Sequence, residues 1–273
     1  MISSHIISAE SLISSEDNEL ISQFDAKDAV LFRAIATQIK EQLSAKFSKT
    51  IMHLKGHGSI KGVLRHISSL LPQFKYFYKT DVTSFYQSIN AQVCMAKAAE
   101  FIKDKRILTI LAQLFDRIEW CQGKYLTHNK GIPKGCPLSP LIGAMYLNDL
   151  AQRFNKSKVK IIIYMDDILI LSRTQWQLIN ARRTLYKELR KLKLTTRPEK
   201  TDVGLIQKGF NFLGYRITRE GLSLSRISLS RLRERVRQLY EQTKCQTRLA
   251  AYLTRFYNWA KGGLPDKVVP SLI

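Results

Sequence analysis

The chain has 273 residues, of which 45% are hydrophobic, a share typical of a folded protein with a packed core. Its 44 Lys and Arg outnumber its 22 Asp and Glu, which gives a formal net charge of +22. The usual partner of so basic a surface is a polyanion, most often nucleic acid.

Membrane, secretory and disulfide-stabilised classes are not favoured by the sequence. No apolar run approaches the roughly 18 residues of a membrane-spanning helix, and the first residues carry no basic segment of a signal peptide. The four Cys form no CxxC pair that would indicate a zinc knuckle or a redox motif. We therefore expect a soluble, cytoplasmic protein without a membrane partner.

Hydrophobic periodicity predicts a mixed order of helices and strands. The first amphipathic helix is indicated by apolar residues that recur every four positions, namely Leu31, Ile35, Ile39, Leu43 and Phe47. The later predicted elements are an extended run at 76–82, two helices within 91–120, a loop at 131–135, helices over 139–154 and 175–192, a short hairpin within 203–217 and basic helices from 228 onward.

Two adjacent carboxylates, Asp166 and Asp167, lie between the Ile-rich runs 159–163 and 168–171. Each run predicts a buried strand, so the pair is expected in the tight turn of a β-hairpin. Two negative side chains repel each other at such close range. One interpretation is a solvated turn; the other is a site for a hard divalent cation, which favours carboxylate oxygen.

A third carboxylate, Asp81, ends the aromatic run upstream. By itself Asp81 could cap the following helix, an interpretation that Thr83 and Ser84 also fit. Together with Asp166 and Asp167 it meets the requirement of a two-metal centre, in which ions about 4 Å apart need carboxylates from non-adjacent segments. With a basic surface, this combination predicts phosphoryl transfer on a polynucleotide.

Five motifs then resemble those of reverse transcriptases, in the order in which that family has them. They are Tyr164-Met165-Asp166-Asp167, the hallmark of the family; the first palm motif at 81–86; the loop-and-helix motif at 131–140, in the form seen in bacterial and group II intron relatives; the lysine-bearing motif at 198–201; and the primer-grip hairpin at 212–215. The chain is thus similar to a bacterial reverse transcriptase, either group II intron-like or stand-alone.

The resemblance implies an α+β, right-hand polymerase fold: a palm with an antiparallel sheet and helices, abbreviated fingers and a small helical thumb. In this sequence residues 1–80 would form the N-terminal helix and short fingers. Residues 81–217 would form the palm, with further fingers elements within 91–130. Residues 218–273 would form the basic thumb.

The resemblance also implies a metal centre. Asp81, Asp166 and Asp167, together with the backbone carbonyl of Val82, would hold two Mg²⁺ ions, with Mn²⁺ as a substitute in vitro. Lys200 would protonate the departing pyrophosphate; the alternative for this residue is an ordinary surface lysine.

Nucleotide binding is implied for two segments. Tyr86 occupies the steric-gate position, where a ring that blocks a ribose 2′-hydroxyl selects deoxynucleotides; the alternative is a core aromatic residue. Gly135 lets the backbone approach the templating pair closely. Lys134 departs from the family pattern, which has Gln there, and a Lys cannot accept a hydrogen bond. This departure puts fidelity, nucleotide preference and the need for a template in doubt.

Further contacts are expected in the fingers and thumb. Lys55, Lys61 and Arg65 are candidate triphosphate ligands, with a solvated basic loop as the alternative. The primer end would be held by the motif Phe212, Leu213, Gly214 and Tyr215. The nucleic-acid backbone would be contacted by Arg231, Arg235 and Arg248.

The function predicted from these motifs is RNA-directed DNA polymerisation, in which a DNA or RNA primer is extended with dNTPs on an RNA template. A dedicated non-coding RNA or an accessory protein is a further candidate partner. The alternatives are a maturase-like RNA-binding protein, an RNA-directed RNA polymerase, and an antiviral defence effector with atypical or template-independent polymerisation. Defence, diversity generation and a retroelement all remain open as biological roles.

Overall fold

The computed structural model describes residues 8–13, 20–54, 59–121, 123–128, 130–243 and 246–261 of the chain. The helices are Ala26–Ser44 (α1), Ile60–Leu70 (α2), Phe85–Ser88 (α3), Ala91–Phe101 (α4), Lys105–Phe115 (α5), Ser139–Phe154 (α6), Gln175–Lys191 (α7), Arg226–Thr243 (α8) and Gln246–Lys261 (α9). The strands are Ser8–Ile13 (β1), Leu20–Phe24 (β2), Tyr76–Asp81 (β3), Ile118–Cys121 (β4), Lys124–Thr127 (β5), Lys160–Tyr164 (β6), Asp167–Ser172 (β7), Asp202–Leu205 (β8), Phe210–Phe212 (β9), Tyr215–Ile217 (β10) and Leu222–Leu224 (β11).

The central sheet has the order β6-β7-β3-β8, and each neighbouring pair is antiparallel. β6 and β7 are rich in Ile and Leu because both faces of the sheet are covered, and such residues suit a strand that is buried on both sides. The register places Asp81 at the end of β3 directly opposite Asp167 at the start of β7. Two carboxylates from distant parts of the sequence therefore meet where the two middle strands of this sheet come to an end.

A separate cluster of buried side chains packs against each face of the central sheet. Ile161, Ile163, Ile168 and Ile170 belong to the cluster that contains buried residues of α1, α4, α5, α6 and α7. Ile162 and its neighbours on the other face belong to a second cluster, which contains buried residues of α2 and of β9 and β10. The alternation of side chains along each strand thus divides the core in two.

The N-terminal sheet, of order β2-β1-β4-β5, was not predicted from the sequence. β1 and β2 form an antiparallel hairpin within a stretch whose sequence is weakly patterned, and β1 also pairs in parallel with β4. The parallel pairing joins residues about a hundred positions apart, a distance at which local patterning carries no information. The helices predicted within 91–120 are present as α4 and α5, but that segment ends in β4.

The C-terminal sheet consists of β9, β10 and β11. The hairpin predicted within 203–217 is shorter than expected, because β8 pairs with β3 in the central sheet and only β9 and β10 form the hairpin. α8 and α9 follow this sheet, as the basic helices were predicted to do. The hydroxyl of Tyr215 donates to the carbonyl of Trp259 at 2.8 Å and so ties α9 to the hairpin.

The buried stripe of α1 differs from the predicted one. The first amphipathic helix is present as α1, but its buried stripe contains Phe32 whereas Leu31 is exposed. None of the described helices is both long enough and apolar enough to cross a membrane.

Candidate active site

The three predicted aspartates lie together at one end of the middle strands of the central sheet. The hairpin that joins β6 and β7 pairs Tyr164 with Asp167, so its two-residue turn consists of Met165 and Asp166. The N–H of Val82 donates to the backbone carbonyl of Asp166 at 3.0 Å and fixes the end of β3 to this turn. One local geometry therefore positions Asp81, Asp166 and Asp167.

Asp81 is buried and is paired with two cations. Lys200 Nζ lies 3.1 Å from Asp81 Oδ2, and Arg197 Nε lies 3.3 Å from Asp81 Oδ1. The backbone N–H of Arg197 also donates to the carbonyl of Asp81 at 2.9 Å. The structure thus places Lys200 beside Asp81 and adds Arg197, which was not predicted from the sequence. The available signal was a second basic residue three positions before Lys200.

The carboxylates form a negative site that the neighbouring cations compensate only in part. Burial, and then the negative charges of Asp166 and Asp81, raise the pKa of Asp167 to about 7. Asp81 Oδ1 is buried and accepts no hydrogen bond, because its contact with Arg197 lacks hydrogen-bond geometry. A buried carboxylate oxygen in this state fits a hard divalent cation. However, no group of three or more His, Cys, Asp or Glu in the described part of the chain is arranged to hold a metal ion.

Tyr86 lies beside the aspartates on α3. Its ring centroid is 5.2 Å from that of Phe85, and its side chain is half-buried. Burial, and then the negative charge of Asp166, raise the pKa of the Tyr86 hydroxyl well above its usual range. The hydroxyl is therefore neutral at physiological pH. The effect on its pKa shows that Tyr86 lies close to the carboxylate of Asp166 in the turn.

The loop that carries Gly135 is attached to the helix of Tyr86. The N–H of Ile132 donates to the Tyr86 carbonyl, and the N–H of Gly131 donates to the Ile89 carbonyl, each at 2.8 Å. Gly131 has a φ of 71°, and a Cβ at this position would lie 2.6 Å from the carbonyl oxygen of Gln87. No other residue fits there without moving the loop away from α3.

Lys134 and Gly135 are exposed on this loop. The carbonyl of Lys134 accepts a hydrogen bond from the N–H of Ser22 in β2 at 2.9 Å, so the loop also contacts the N-terminal sheet. A cleft of about 230 Å³ lies between this loop and the N-terminal sheet, and its lining includes Lys134, Gln87, Arg117 and Glu119.

A buried ion pair lies behind this cleft. Arg117 Nε is 2.5 Å from Glu119 Oε1, and the guanidinium also donates to the carbonyl of Gly131 at 2.9 Å. Ser22 Oγ donates to the same Glu119 oxygen at 2.9 Å, and His128 Nε2 lies 3.3 Å from the other. These contacts fix the Gly131 loop to β2 and β4. No motif in the sequence indicated them.

A larger cleft of about 480 Å³ extends from the aspartates toward the C-terminal helices. Its lining includes Asp81, Asp167, Lys200, Leu213, Gly214 and Arg231. The cleft therefore joins the carboxylates, the predicted primer grip and one of the predicted thumb arginines.

The predicted primer grip is the β9–β10 hairpin. Phe212 and Tyr215 are buried, whereas Leu213 and Gly214 form the turn. The φ angles of these two turn residues are 49° and 83°, and positive values at both central positions are typical of a type I′ turn. The turn faces the cleft, and its flanking side chains anchor it in the core.

The remaining predicted contacts do not line this cleft. Lys61 and Arg65 are exposed on α2, Arg235 donates to the Gln238 side chain at 3.3 Å on α8, and Arg248 is exposed on α9. Lys55 lies outside the described residues. Their roles toward triphosphate and nucleic acid stay predictions.

Comparison with known families identifies the chain. Residues 18–217, more than half of its length, match the family described as Reverse transcriptase (RNA-dependent DNA polymerase). This match places the chain in a family of polymerases of the nucleotidyltransferase class. The chain belongs to the reverse transcriptase family, whose members are RNA-directed DNA polymerases, and the predicted enzyme class is confirmed.

Solved structures of telomerase have a similar fold. A C-terminally truncated apo telomerase of Candida tropicalis superposes with a TM-score of 0.66 at 14% identity, covering 82% of this chain and 56% of that one. A Candida albicans telomerase in complex with the TWJ fragment of telomeric RNA gives a TM-score of 0.62 at 11% identity, covering 93% and 53%. The chain spans about half the length of these telomerases. The predicted fold class is confirmed, and identities this low carry the similarity no further than the fold. Among curated proteins, no sequence matches the chain significantly.

Proposed function

We propose that this protein is a reverse transcriptase that extends a DNA or RNA primer with dNTPs on an RNA template. The observation that carries the proposal is the pairing of Asp81 with Asp167 at the floor of a cleft. The same cleft is bounded by the Leu213–Gly214 turn and by Arg231. Carboxylates at the floor and a basic helix at the wall suit the joining of nucleotides on a polyanion.

Asp81, Asp166 and the Val82 carbonyl would hold two Mg²⁺ ions, or Mn²⁺ in vitro, and Asp167 would support the site. When bound, these ions would activate the primer hydroxyl and neutralise the charge of the triphosphate and pyrophosphate. Two observations support this assignment. The buried Asp81 Oδ1 accepts no hydrogen bond, and the pKa of Asp167 stays raised although Lys200 and Lys79 lie near it.

Lys200 would provide the proton for pyrophosphate. Its Nζ lies 3.1 Å from Asp81 Oδ2, and the half-exposed side chain lines the cleft, so it can turn from the carboxylate toward a leaving group. Arg197 remains beside Asp81 in the same segment and is a second cation for the negative charge that develops there.

Tyr86 would select the sugar. Its ring is held against Phe85, and its position is set by the hydrogen bond from Ile132 to its carbonyl. A rigid ring at that place would collide with a 2′-hydroxyl, which favours dNTPs over rNTPs. Lys134, on the loop attached to α3, would then affect nucleotide choice rather than chemistry.

RNA as the template is proposed from the family and from the basic surface. One of the similar telomerases was solved with a fragment of telomeric RNA. From the form of its motifs we propose a bacterial setting for this chain, either group II intron-like or stand-alone. A dedicated non-coding RNA or an accessory protein as partner, and a role in defence, are further proposals. Its net charge of +22 suits binding to RNA.

The test is primer extension on matched RNA and DNA templates with dNTPs or rNTPs. Extension by dNTPs on RNA that is lost in Asp166→Asn/Asp167→Asn supports the proposal. RNA binding without extension by either protein would instead indicate a maturase-like binder. Extension with rNTPs alone would indicate an RNA polymerase.

A further inference from the structure

The turn that carries Asp166 is contacted by a segment far upstream in the sequence. The N–H of Ile163 donates to the Thr50 carbonyl, and the N–H of Met52 donates to the Ile163 carbonyl, both at 2.9 Å. Residues 50–52 therefore run beside the last part of β6, with Ile51 bridged in parallel to Ile163. His53, the next residue, is placed beside the turn.

Both ring nitrogens of His53 are engaged. The backbone N–H of Met165 lies 3.1 Å from Nδ1, and Nε2 lies 2.9 Å from the carbonyl oxygen of Pro140. An amide N–H can only donate and a carbonyl can only accept, so Nδ1 is unprotonated and Nε2 carries the hydrogen. One neutral tautomer satisfies both contacts, and the imidazole bridges the turn to the first turn of α6.

The turn is strained at the residue that His53 contacts. Met165 has a φ of 56°, in the left-handed region that residues with a Cβ rarely adopt. The conformation persists only where the surroundings hold it. The ring of His53 also packs edge-on against Tyr164, with centroids 6.2 Å apart, so it contacts the turn through both its nitrogen and its edge.

We propose that His53 is a positioning residue for the aspartate pair. By accepting the Met165 N–H, it keeps the two-residue turn in the conformation that presents Asp166 beside Asp81. His53 acts through the backbone of Met165 and takes no part in the chemistry. The inference rests on the proposed function, since that function assigns Asp166 its role.

Three substitutions separate the two hydrogen bonds from packing. His53→Asn retains a polar group near the position of Nδ1, His53→Gln retains one near Nε2, and His53→Phe retains only a ring. We expect His53→Asn to keep kcat within about threefold of the wild type, whereas His53→Gln and His53→Phe lose about tenfold, as for one lost hydrogen bond to the turn. The KM for dNTP should change less than twofold in all of them.

The pattern of rescue decides the outcome. Equal losses in His53→Asn and His53→Phe, or an unchanged kcat in His53→Phe, would overturn the proposal. His66→Asn, an exposed histidine on α2, is the matched control and should behave as the wild type. Thermal unfolding of each variant identifies any that fails to fold.

A spectroscopic measurement tests the contact without requiring activity. In protein with ¹⁵N-labelled backbone and histidine rings, we expect a scalar coupling across the hydrogen bond from Met165 N–H to His53 Nδ1. The signals are assigned by their loss in His53→Asn. A protonated Nδ1, or no coupling in the folded wild type, would overturn the inference.

The two proposals fail in different ways. If Asp166→Asn still extends primers, the proposed function of the aspartates is wrong, whatever His53 does. If Asp166→Asn is inactive while every His53 variant equals the wild type, the function stands and the role of His53 is wrong.

Discussion

Lys200 Nζ lies 3.1 Å from Asp81 Oδ2, so the group expected to protonate pyrophosphate is ion-paired with an expected metal ligand. The Lys200 side chain is half-exposed, so water screens its end of the pair. The contact is therefore better understood as a resting position than as a structural support. A divalent cation held by Asp81 would compete with Lys200 for the carboxylate, and we expect the ammonium then to face the cleft.

Removal of Lys200 is expected to slow catalysis. Lys200→Ala should lower kcat about 10²-fold, the lower range for loss of a general acid, while the binding of primer-template is retained. The measurement is single-turnover incorporation of one dNTP. Arg106→Ala removes the same charge at an exposed ion pair on α5 and should leave kcat unchanged. A Lys200→Ala protein with wild-type kcat would remove Lys200 from the mechanism.

The raised pKa of Asp167 predicts how stability depends on pH in the metal-free protein. The folded-state pKa of about 7 lies above the ordinary 3.8, so folding disfavours the charged form. The penalty is fully present above pH 7, declines as pH falls through that value and is absent below about 4. Metal-free protein should therefore gain stability on acidification from pH 8 to 5, as far as Asp167 is concerned.

Asp167→Asn isolates this contribution. In the presence of a chelator, the variant should exceed the wild type in free energy of unfolding by on the order of 2–4 kcal/mol at pH 8, and the difference should shrink toward pH 5. Urea denaturation at both pH values measures it. A variant that is less stable than the wild type at pH 8 would contradict the sign.

The sequence located the aspartates because their signals are local. The Ile-rich runs predict the two strands, and the turn must then contain Asp166. Arg197 was missed because its partner, Asp81, lies more than a hundred residues away in the sequence. His53 was missed because its partner is a backbone group, the equally distant N–H of Met165. β1 was missed for the same reason, since its parallel pairing with β4 depends on tertiary contacts.

Removal of one partner from the buried pair of Arg117 and Glu119 is expected to destabilise the N-terminal sheet. Their side chains are 5% and 3% exposed, so either substitution alone leaves an uncompensated buried charge. Arg117→Met should lower the free energy of unfolding by about 3–5 kcal/mol. Arg117→Met/Glu119→Gln should recover part of this loss, and chemical denaturation of both variants checks the difference. A double variant no more stable than Arg117→Met would contradict the pairing.

Tyr86 is expected to control the sugar by its bulk alone. Tyr86→Ala should raise the efficiency of rNTP incorporation relative to dNTP by about 10- to 100-fold, the range for a small steric contact. Tyr86→Phe keeps the ring against Phe85 and should retain the selectivity of the wild type, since its hydroxyl is not required. The ratio of kcat/KM for the two nucleotides is the measurement. A Tyr86→Ala protein that still rejects rNTPs would place the gate elsewhere.

Arg231 is expected to contact a phosphate of the primer-template, because it is the predicted thumb arginine that lines the cleft with Asp81 and the Leu213–Gly214 turn. Each phosphate contact releases counterions, so binding weakens with salt in proportion to the number of contacts. Arg231→Gln should weaken binding on all sequences alike and reduce the slope of log K against log salt by about 1. Arg106→Gln changes the net charge equally but lies at an exposed ion pair with Asp104, and its slope should equal that of the wild type. Equal slopes for both variants would mean that Arg231 acts only through the overall charge, and that the cleft does not hold the duplex.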